Sequence, residues 1–266
     1  MSKSYQTTAV IFLDIMGTKD RTTFDEKYAV HQIFHEEVKN NEARKATTPH
    51  VIHTRILRSF SDCAFILYTY KEGIQNNRKD DLNLMYIALY NTSLSIIRIV
   101  NSGFLVRGGA CLGDAFIDSL GFFGPTIEDA YDLESSKTKA IYPRIILSEE
   151  LGRRLYDWER SKEMDETASL LFTSIPRLIL KDEDGWYYLN IFYQLEMSGS
   201  LHFGTIEYTL DATIEAVGAV ILRTEQKHHG NTCIMRKMNW MRKFTANATL
   251  KTKSGISPIR TFVVGE

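Results

Sequence analysis

Hydrophobic and polar positions divide this chain into a succession of short apolar runs and longer amphipathic stretches. Residues Thr8 to Asp14 (Thr-Ala-Val-Ile-Phe-Leu-Asp) form an unbroken apolar run, rich in β-branched and aromatic side chains, that ends in a carboxylate. Such a run predicts a central strand buried on both faces. From Phe24 to Val38, Tyr28, Ile33, Phe34 and Val38 fall loosely at helical spacing, and the polar stretch Asn40 to His50 reads as a loop. Arg55 to Asp62 and Cys63 to Tyr70 read as two strands meeting at Asp62 in a hairpin. Asp80-Asp81 marks a helix start, and Leu82, Met85, Leu89, Ile96 and Val100 carry a long amphipathic helix to about Asn101, stopped by Gly103.

Phe104 to Leu112 predicts a strand interrupted by Gly108-Gly109, Pro125 to Glu134 a helix with proline in its first turn, Arg144 to Leu147 a short strand, and Glu149 to Trp158 another helix. The order β, α, β, β, α, β, then α and β, predicts a ferredoxin-like α+β core, a mostly antiparallel sheet with helices on one face. Beyond about Asp165 the pattern changes. Leu178–Leu180 and Trp186–Phe192 read as a strand pair turned by Asp182-Glu183-Asp184-Gly185, and a long helical region covers Leu210 to Thr249. With no linker or repeat between them, residues 1–160 are expected to form the core, and 161–266 a C-terminal extension packed on the same domain.

Composition narrows the function classes. The chain has 266 residues, 44% of them hydrophobic, so a sizeable core is expected; the net charge of −1 argues against a general nucleic-acid binder. The first apolar run is too short and too soon charged for a signal peptide or a membrane span, which makes a soluble cytoplasmic protein the default expectation. Three cysteines, Cys63, Cys111 and Cys233, fit no zinc spacing and read as buried free thiols.

Two acids stand out. Asp14 ends the first strand and is followed by Ile15-Met16-Gly17-Thr18, where Gly17 lets the backbone approach a ligand and the amides of Ile15–Thr18 can cradle phosphate oxygens. Asp62 sits at the hairpin of Phe60-Ser61-Asp62-Cys63. Two carboxylates delivered at the ends of neighbouring strands can hold a pair of divalent ions against a triphosphate. The run Asp14-Ile15-Met16-Gly17-Thr18 also looks like the nucleophile loop of haloacid-dehalogenase-like phosphatases, but their general acid is here Met16, which cannot transfer a proton. Asp80-Asp81, which could mimic the later acids of that family, is better explained as a helix N-terminus.

The ordered succession Phe12-Leu13-Asp14-Ile15-Met16-Gly17, Ser59-Phe60-Ser61-Asp62-Cys63, Val106-Arg107-Gly108-Gly109-Ala110-Cys111-Leu112-Gly113, Phe123-Gly124-Pro125-Thr126-Ile127-Glu128-Asp129-Ala130-Tyr131-Asp132-Leu133-Glu134 and Tyr142-Pro143-Arg144-Ile145-Ile146-Leu147-Ser148 resembles the class III nucleotidyl cyclases. Within them it is most similar to the bacterial pyrimidine cyclases of the Pycsar antiphage systems. The resemblance covers residues 8–150 in detail and the Asp184-Gly185-Trp186 turn more loosely. It implies two Mg²⁺ or Mn²⁺ ions held by Asp14, Asp62 and the Ile15 carbonyl, and substrate contacts from Gly17 and Thr18. It also implies attack of the ribose 3′-hydroxyl on the α-phosphorus with loss of pyrophosphate.

Arg58 lies where adenylate cyclases carry a base-reading Lys, and a guanidinium suits the carbonyls of uracil or cytosine. The acid that pairs with adenine is absent, since Gly121-Phe122 precedes Phe123-Gly124. The resemblance therefore implies UTP as substrate, with CTP as the alternative, a head-to-tail homodimer, and a cyclic nucleotide acting on a separate effector in antiphage defence, with no nucleic-acid or membrane partner. Where the family places an Asn and an Arg on the helix after Phe123-Gly124, this chain has Glu128 and Asp132. Arg107, Lys137, Lys139 and Arg144 are the candidate replacement cations, Arg107 foremost. A non-catalytic nucleotide-binding module on the same scaffold is the rival reading. The basic-aromatic stretch of Lys237, Trp240, Arg242 and Lys243 reads as a solvated helix face.

Overall fold

A computed structural model of the chain describes residues 4–18, 23–47, 51–136, 138–162, 172–251 and 253. The first apolar run is β1 (Gln6–Ile15). Its side chains alternate between two apolar clusters: Ala9, Ile11, Leu13 and Ile15 on one face, Val10 and Phe12 on the other. Burial on both faces is why the strand shows no polar alternation.

After β1 come α1 (Phe24–Thr47), β2 (His53–Phe60), β3 (Cys63–Tyr70), α2 (Asp81–Asn101) and β4 (Val106–Ile117). The strands lie in the order β2-β3-β1-β4, every neighbour antiparallel, the ferredoxin-like arrangement expected of the βαββαβ order. The short β5 (Phe122–Phe123) folds back on β4, and α3 (Pro125–Ser135) follows. Beyond β4 the sheet continues through β6 (Ile145–Leu147), parallel to β4. After α4 (Glu149–Ser161), β8 (Tyr187–Leu189) pairs with β6, and β7 (Ile179–Lys181) forms the edge. The chain then forms α5 (Tyr193–Ser198), a separate hairpin β9 (Ser200–Phe203) and β10 (Ile206–Thr209), α6 (Leu210–Lys227) and α7 (Thr232–Ala246).

Helices α1, α2, α4, α6 and α7 contribute to the cluster on the Ala9 face. Helix α3 lies across the opposite face, setting Ile127, Ala130 and Leu133 against Val10 and Phe12. The Gly108-Gly109 interruption of β4 has its reason here. A Cβ on Gly109 would stand 2.3 Å from the Ala130 carbonyl oxygen and 2.5 Å from Leu133 Cβ, so only glycine lets α3 pack this closely.

Several elements differ from their sequence expectation. The stretch from Asn40 continues α1 as far as Thr47 rather than forming a loop. Glu42-Ala43-Arg44-Lys45-Ala46 is polar, but its residues are strong helix formers. Strand β4 runs five residues past Leu112, and Trp186–Phe192 keeps only three strand residues. The region Leu210 to Thr249 is two helices. Gly230 turns the chain at φ +90°, and Asn231 caps α7 by accepting the Ile234 amide at 3.2 Å. The helix start at Asp80 is as expected, its carboxylate accepting the Asn83 amide at 3.0 Å. Of the thiols, Cys111 is buried and Cys63 half-buried, but Cys233, in the first turn of its helix, is exposed. Among the described residues, no helix is long and apolar enough to cross a membrane.

Candidate active site

The register of the sheet assembles the site. Across the α3 face, one row of opposed residues reads Arg107 (β4), Asp14 (β1), Cys63 (β3) and Phe60 (β2). The next row on the same face reads Gly109, Phe12, Phe65 and Arg58. Asp62 is brought beside Asp14 by the two-residue hairpin between β2 and β3. Ser61 in that turn takes φ +54°, the one non-glycine at positive φ among the described residues. The Ile15 amide donates to the Asp62 carbonyl at 2.9 Å, tying the turn to the end of β1.

Ligand atoms of Asp14, Asp62 and Cys63 lie within 4.8 Å of one another. The Cys63 thiol donates to Asp14 Oδ1 at 3.5 Å, and burial together with the Asp14 and Asp62 charges pushes its pKa up, so it stays protonated. That leaves the two carboxylates as hard oxygen donors, a set suited to Mg²⁺ or Mn²⁺ rather than to a thiolate-seeking metal. Burial works to raise the pKa of Asp62, but hydrogen bonds from the Thr18 hydroxyl, its own backbone amide, Ser61 and Cys63 outweigh it and hold the carboxyl below its ordinary range. Asp62 is thereby kept in the anionic form that binds cations.

Arg107 sits between two acids. Its Nε donates to Asp14 Oδ2 at 3.1 Å and lies 2.6 Å from Glu134 Oε1. The second contact lacks hydrogen-bond alignment, because Glu134 Oε1 has no hydrogen-bond partner, and it is charge against charge. Glu134 is buried, and desolvation raises its pKa. Arg107 opposes that rise, whereas the charge of Asp14 and a hydrogen bond with it add to it. Sequence reasoning missed this third acid. Its signal was its place on α3, four residues after Ala130 and seven after Ile127, on the apolar face of the helix.

Asp14, Asp62, Thr18 and Arg107 therefore converge, with Ile15 ending β1 beside them. Gly17 lies exposed in the following turn at φ +80°. The amides of Ile15 and Met16 are committed to the Asp62 and Leu105 carbonyls, which leaves only Gly17 and Thr18 of the expected amide cradle. Arg58 is not in this cluster. It lies exposed on the edge strand, its guanidinium donating to the Leu57 carbonyl at 3.4 Å, at the rim of an aromatic floor. That floor is Phe12 against Phe65 (4.7 Å) and Tyr131 (5.3 Å), with Phe65 against Phe122 (5.0 Å).

The other candidate cations fare differently. Arg144 is fully buried, paired with Asp182 and Asp184 and caged by Tyr142, Tyr188 and Trp240, so it is no free cation. Lys139 is half-buried, and Lys137 lies outside the described residues. Glu128 and Asp132 are exposed on the outer side of α3. The stretch around Trp240 is a solvated face only at Arg242 and Lys243, which are exposed. The indole stacks on Tyr142 at 5.5 Å and donates to Asp182 at 2.6 Å, because its helix packs against the end of the sheet. Asp80 and Asp81 stand outside the carboxylate cluster.

No protein-family model matches the chain, and neither does any curated protein. Among solved structures it is similar to the catalytic core of a rhodopsin-guanylyl cyclase with converted specificity in complex with ATPαS, at 17% identity and TM-score 0.43, covering 71% of this chain and 97% of that one. It is likewise similar to the guanylyl cyclase domain of RhoGC from the aquatic fungus Blastocladiella emersonii, at 17% identity and TM-score 0.44, covering 71% of this chain and 98% of that one. A bacterial light-regulated adenylyl cyclase follows at 11% identity and TM-score 0.42, covering 83% of this chain and 59% of that one. At this distance the chemistry rests on the residues of the chain itself.

Proposed function

We propose that this protein is a nucleotide cyclase that converts UTP to 3′,5′-cyclic UMP and pyrophosphate, with CTP to cyclic CMP as the alternative. The observation that carries the reading is the convergence of Asp14, near the end of β1, and Asp62, in the β2–β3 turn, at a partly buried site whose acids outnumber its paired arginine. Asp14, Asp62 and the Ile15 carbonyl would hold the two ions. When bound, Mg²⁺ or Mn²⁺ lowers the pKa of the ribose 3′-hydroxyl and offsets the charge of the triphosphate. The 3′-oxygen bonds to the α-phosphorus, its proton is released, and the bond to the bridging oxygen breaks to free pyrophosphate.

The side chains of this chain prepare that step. Thr18 holds Asp62 in its anionic form, and Arg107 orients Asp14 and adds positive charge next to the phosphates. The open turn at Gly17 leaves room for phosphate oxygens. The half-buried rings of Phe65 and Phe122, which lie over the buried Phe12, offer a surface on which a base can lie, with Arg58 at its rim to donate to a pyrimidine carbonyl.

The apolar surface around the β4–β5 hairpin suits a second copy of the chain. Leu120 and Phe123 are exposed there, beside an open cavity of about 760 Å³ lined also by Tyr5 and Phe116. A cyclic product that acts on a separate effector during phage infection rests on the family resemblance, and a cytoplasmic location on the short, early-charged first apolar run.

Purified protein incubated with each of the four nucleoside triphosphates and Mn²⁺ tests the reading. The expected result is a cyclic monophosphate from a pyrimidine triphosphate, UTP first. In Asp62→Ala, formation of that product falls at least about a hundredfold while the fold is kept. Folded protein that binds nucleotide but forms no cyclic product would point instead to the non-catalytic module.

A further inference from the structure

We propose that Lys237, on the C-terminal helix, binds the terminal phosphates of a triphosphate held at the Asp14–Asp62 site. The inference takes its ligand from the cyclase reading and its residue from geometry. On α7, Cys233, Lys237, Trp240 and Phe244 follow spacings of four, three and four, and so share one face. Two contacts fix how that face sits. Phe244 packs on Phe192 at 5.3 Å and Tyr188 at 5.8 Å, and Trp240 lies nearly parallel to Tyr142 while donating to Asp182. Lys237 comes one turn earlier, about 5 Å along the helix axis.

The segment under Trp240, Tyr142 to Arg144, borders the strand that carries Arg107. The Arg144 carbonyl accepts the Gly108 amide at 3.1 Å, and the residue before Gly108 is Arg107, paired with Asp14. Trp240 and Phe244 pack on the same face of the sheet as Phe12 and α3, the face that carries Arg107 and Asp14, so Lys237, one turn before Trp240, is set along that face toward Arg107, Asp14 and Glu134. Its surroundings agree. Burial and the charge of Arg107 lower its pKa, Asp14 acts to raise it, and Lys237 in turn favours the anionic form of Glu134. Among the described residues Lys237 makes no hydrogen bond or ion pair. A half-buried ammonium left unpaired next to an acid-rich pocket is suited to an anion that arrives with the ligand.

Need and supply match here. Helix α3 presents Glu128 and Asp132 outward, and Arg144 is consumed by its own acids. A triphosphate whose charge is only partly offset by two divalent ions still has free oxygens. A lysine ammonium, a compact point charge with three donors, serves such oxygens.

The test is calorimetric titration of the full chain with Mn²⁺ and inorganic tripolyphosphate, alongside the cyclase assay. Lys237→Met is expected to weaken tripolyphosphate binding about tenfold or more, with the thermal midpoint unchanged, and Lys237→Arg to recover most of the affinity. Lys243→Met removes the same charge from an exposed position of the same helix and is expected to change nothing. In the assay, the KM for the triphosphate rises in Lys237→Met.

The proposal is overturned if wild type does not bind tripolyphosphate, if Lys237→Met binds it as wild type does, or if Lys243→Met weakens it equally. Loss of binding in Lys237→Met, in a protein whose wild type makes no cyclic product, would end the cyclase reading and leave the phosphate site. A wild type that cyclises, with Lys237→Met indistinguishable from it, does the reverse.

Discussion

Two arginines each stand between two acids, joined through the hydrogen bond from Gly108 to Arg144, yet their surroundings make opposite things of them. Arg144 is 1% exposed, lies over three aromatic rings, and shares Asp182 with the Trp240 indole. Its charge is consumed, and it fastens the β7–β8 turn and α7 to the end of the sheet. Arg107 keeps more than a quarter of its side chain in solvent. It faces Asp14 and Glu134, with Asp62 alongside, so three acids meet one paired base. A closed, matched cluster holds structure together. An open, acid-rich one invites cations, and that difference makes the second the candidate chemical site.

The comparison breaks first at Arg144. Arg144→Met leaves Asp182 and Asp184 facing each other and removes the cation from the cage. We expect a loss of about 2–3 kcal/mol, below the cost for a wholly buried pair because Asp184 is 37% exposed. Urea unfolding measures it, and cyclic product formed per folded molecule should stay near that of wild type.

Arg107→Met is expected to do the reverse. Stability falls by only about 1 kcal/mol, since the acids left behind are partly hydrated or can take up a proton. Mn²⁺ binds severalfold more tightly, because Asp14 loses its competitor, while turnover drops. Titration with Mn²⁺ and the rate of product formation separate these effects. Equal stability losses in the two variants would erase the distinction.

Glu134 gives the finest test. Burial raises its folded-state pKa above the ordinary 4.5, so the folded protein holds this proton more tightly than the unfolded chain. Its contribution to stability is therefore greatest below pH 4.5 and is lost as pH rises through the folded value. Glu134→Gln should flatten that decline by a fraction of a kcal/mol to about 1 kcal/mol, seen in unfolding curves of metal-free protein across pH 4 to 8. Asp62 runs the other way. Its pKa is lowered, so its contribution is present above pH 3.8 and lost as pH falls through the folded value.

Much of the fold was legible because burial writes itself into local pattern. The run ending at Asp14, the Asp80 cap and the hairpin at Asp62 each carry a period or a turn residue that a window of ten residues contains. The polar end of α1 was misread because polarity and helix propensity point different ways there. The break at Gly230-Asn231 was passed over, although both residues signal it. At the site, Asp14, Asp62 and Arg107 could be named in advance because acids and a base inside apolar strands are conspicuous. Glu134 was not named, since one acid among several on a short helix looks solvated until the helix is laid on Gly109.

The amino-acid sequence by itself determined which segments became strands and helices, the antiparallel βαββαβ core, and the acids at its strand ends. Those follow from side-chain period, turn chemistry and the need to bury apolar surface, all local along the chain. Only the tertiary structure decided which charges meet. It gave Arg107 to Asp14 and Glu134, locked Arg144 among rings and acids, left Arg58 on the edge strand, and set Trp240 against Tyr142 and Asp182. Pairing depends on which residues the sheet register and helix packing bring within a few ångströms across many tens of residues, and no local pattern encodes that separation.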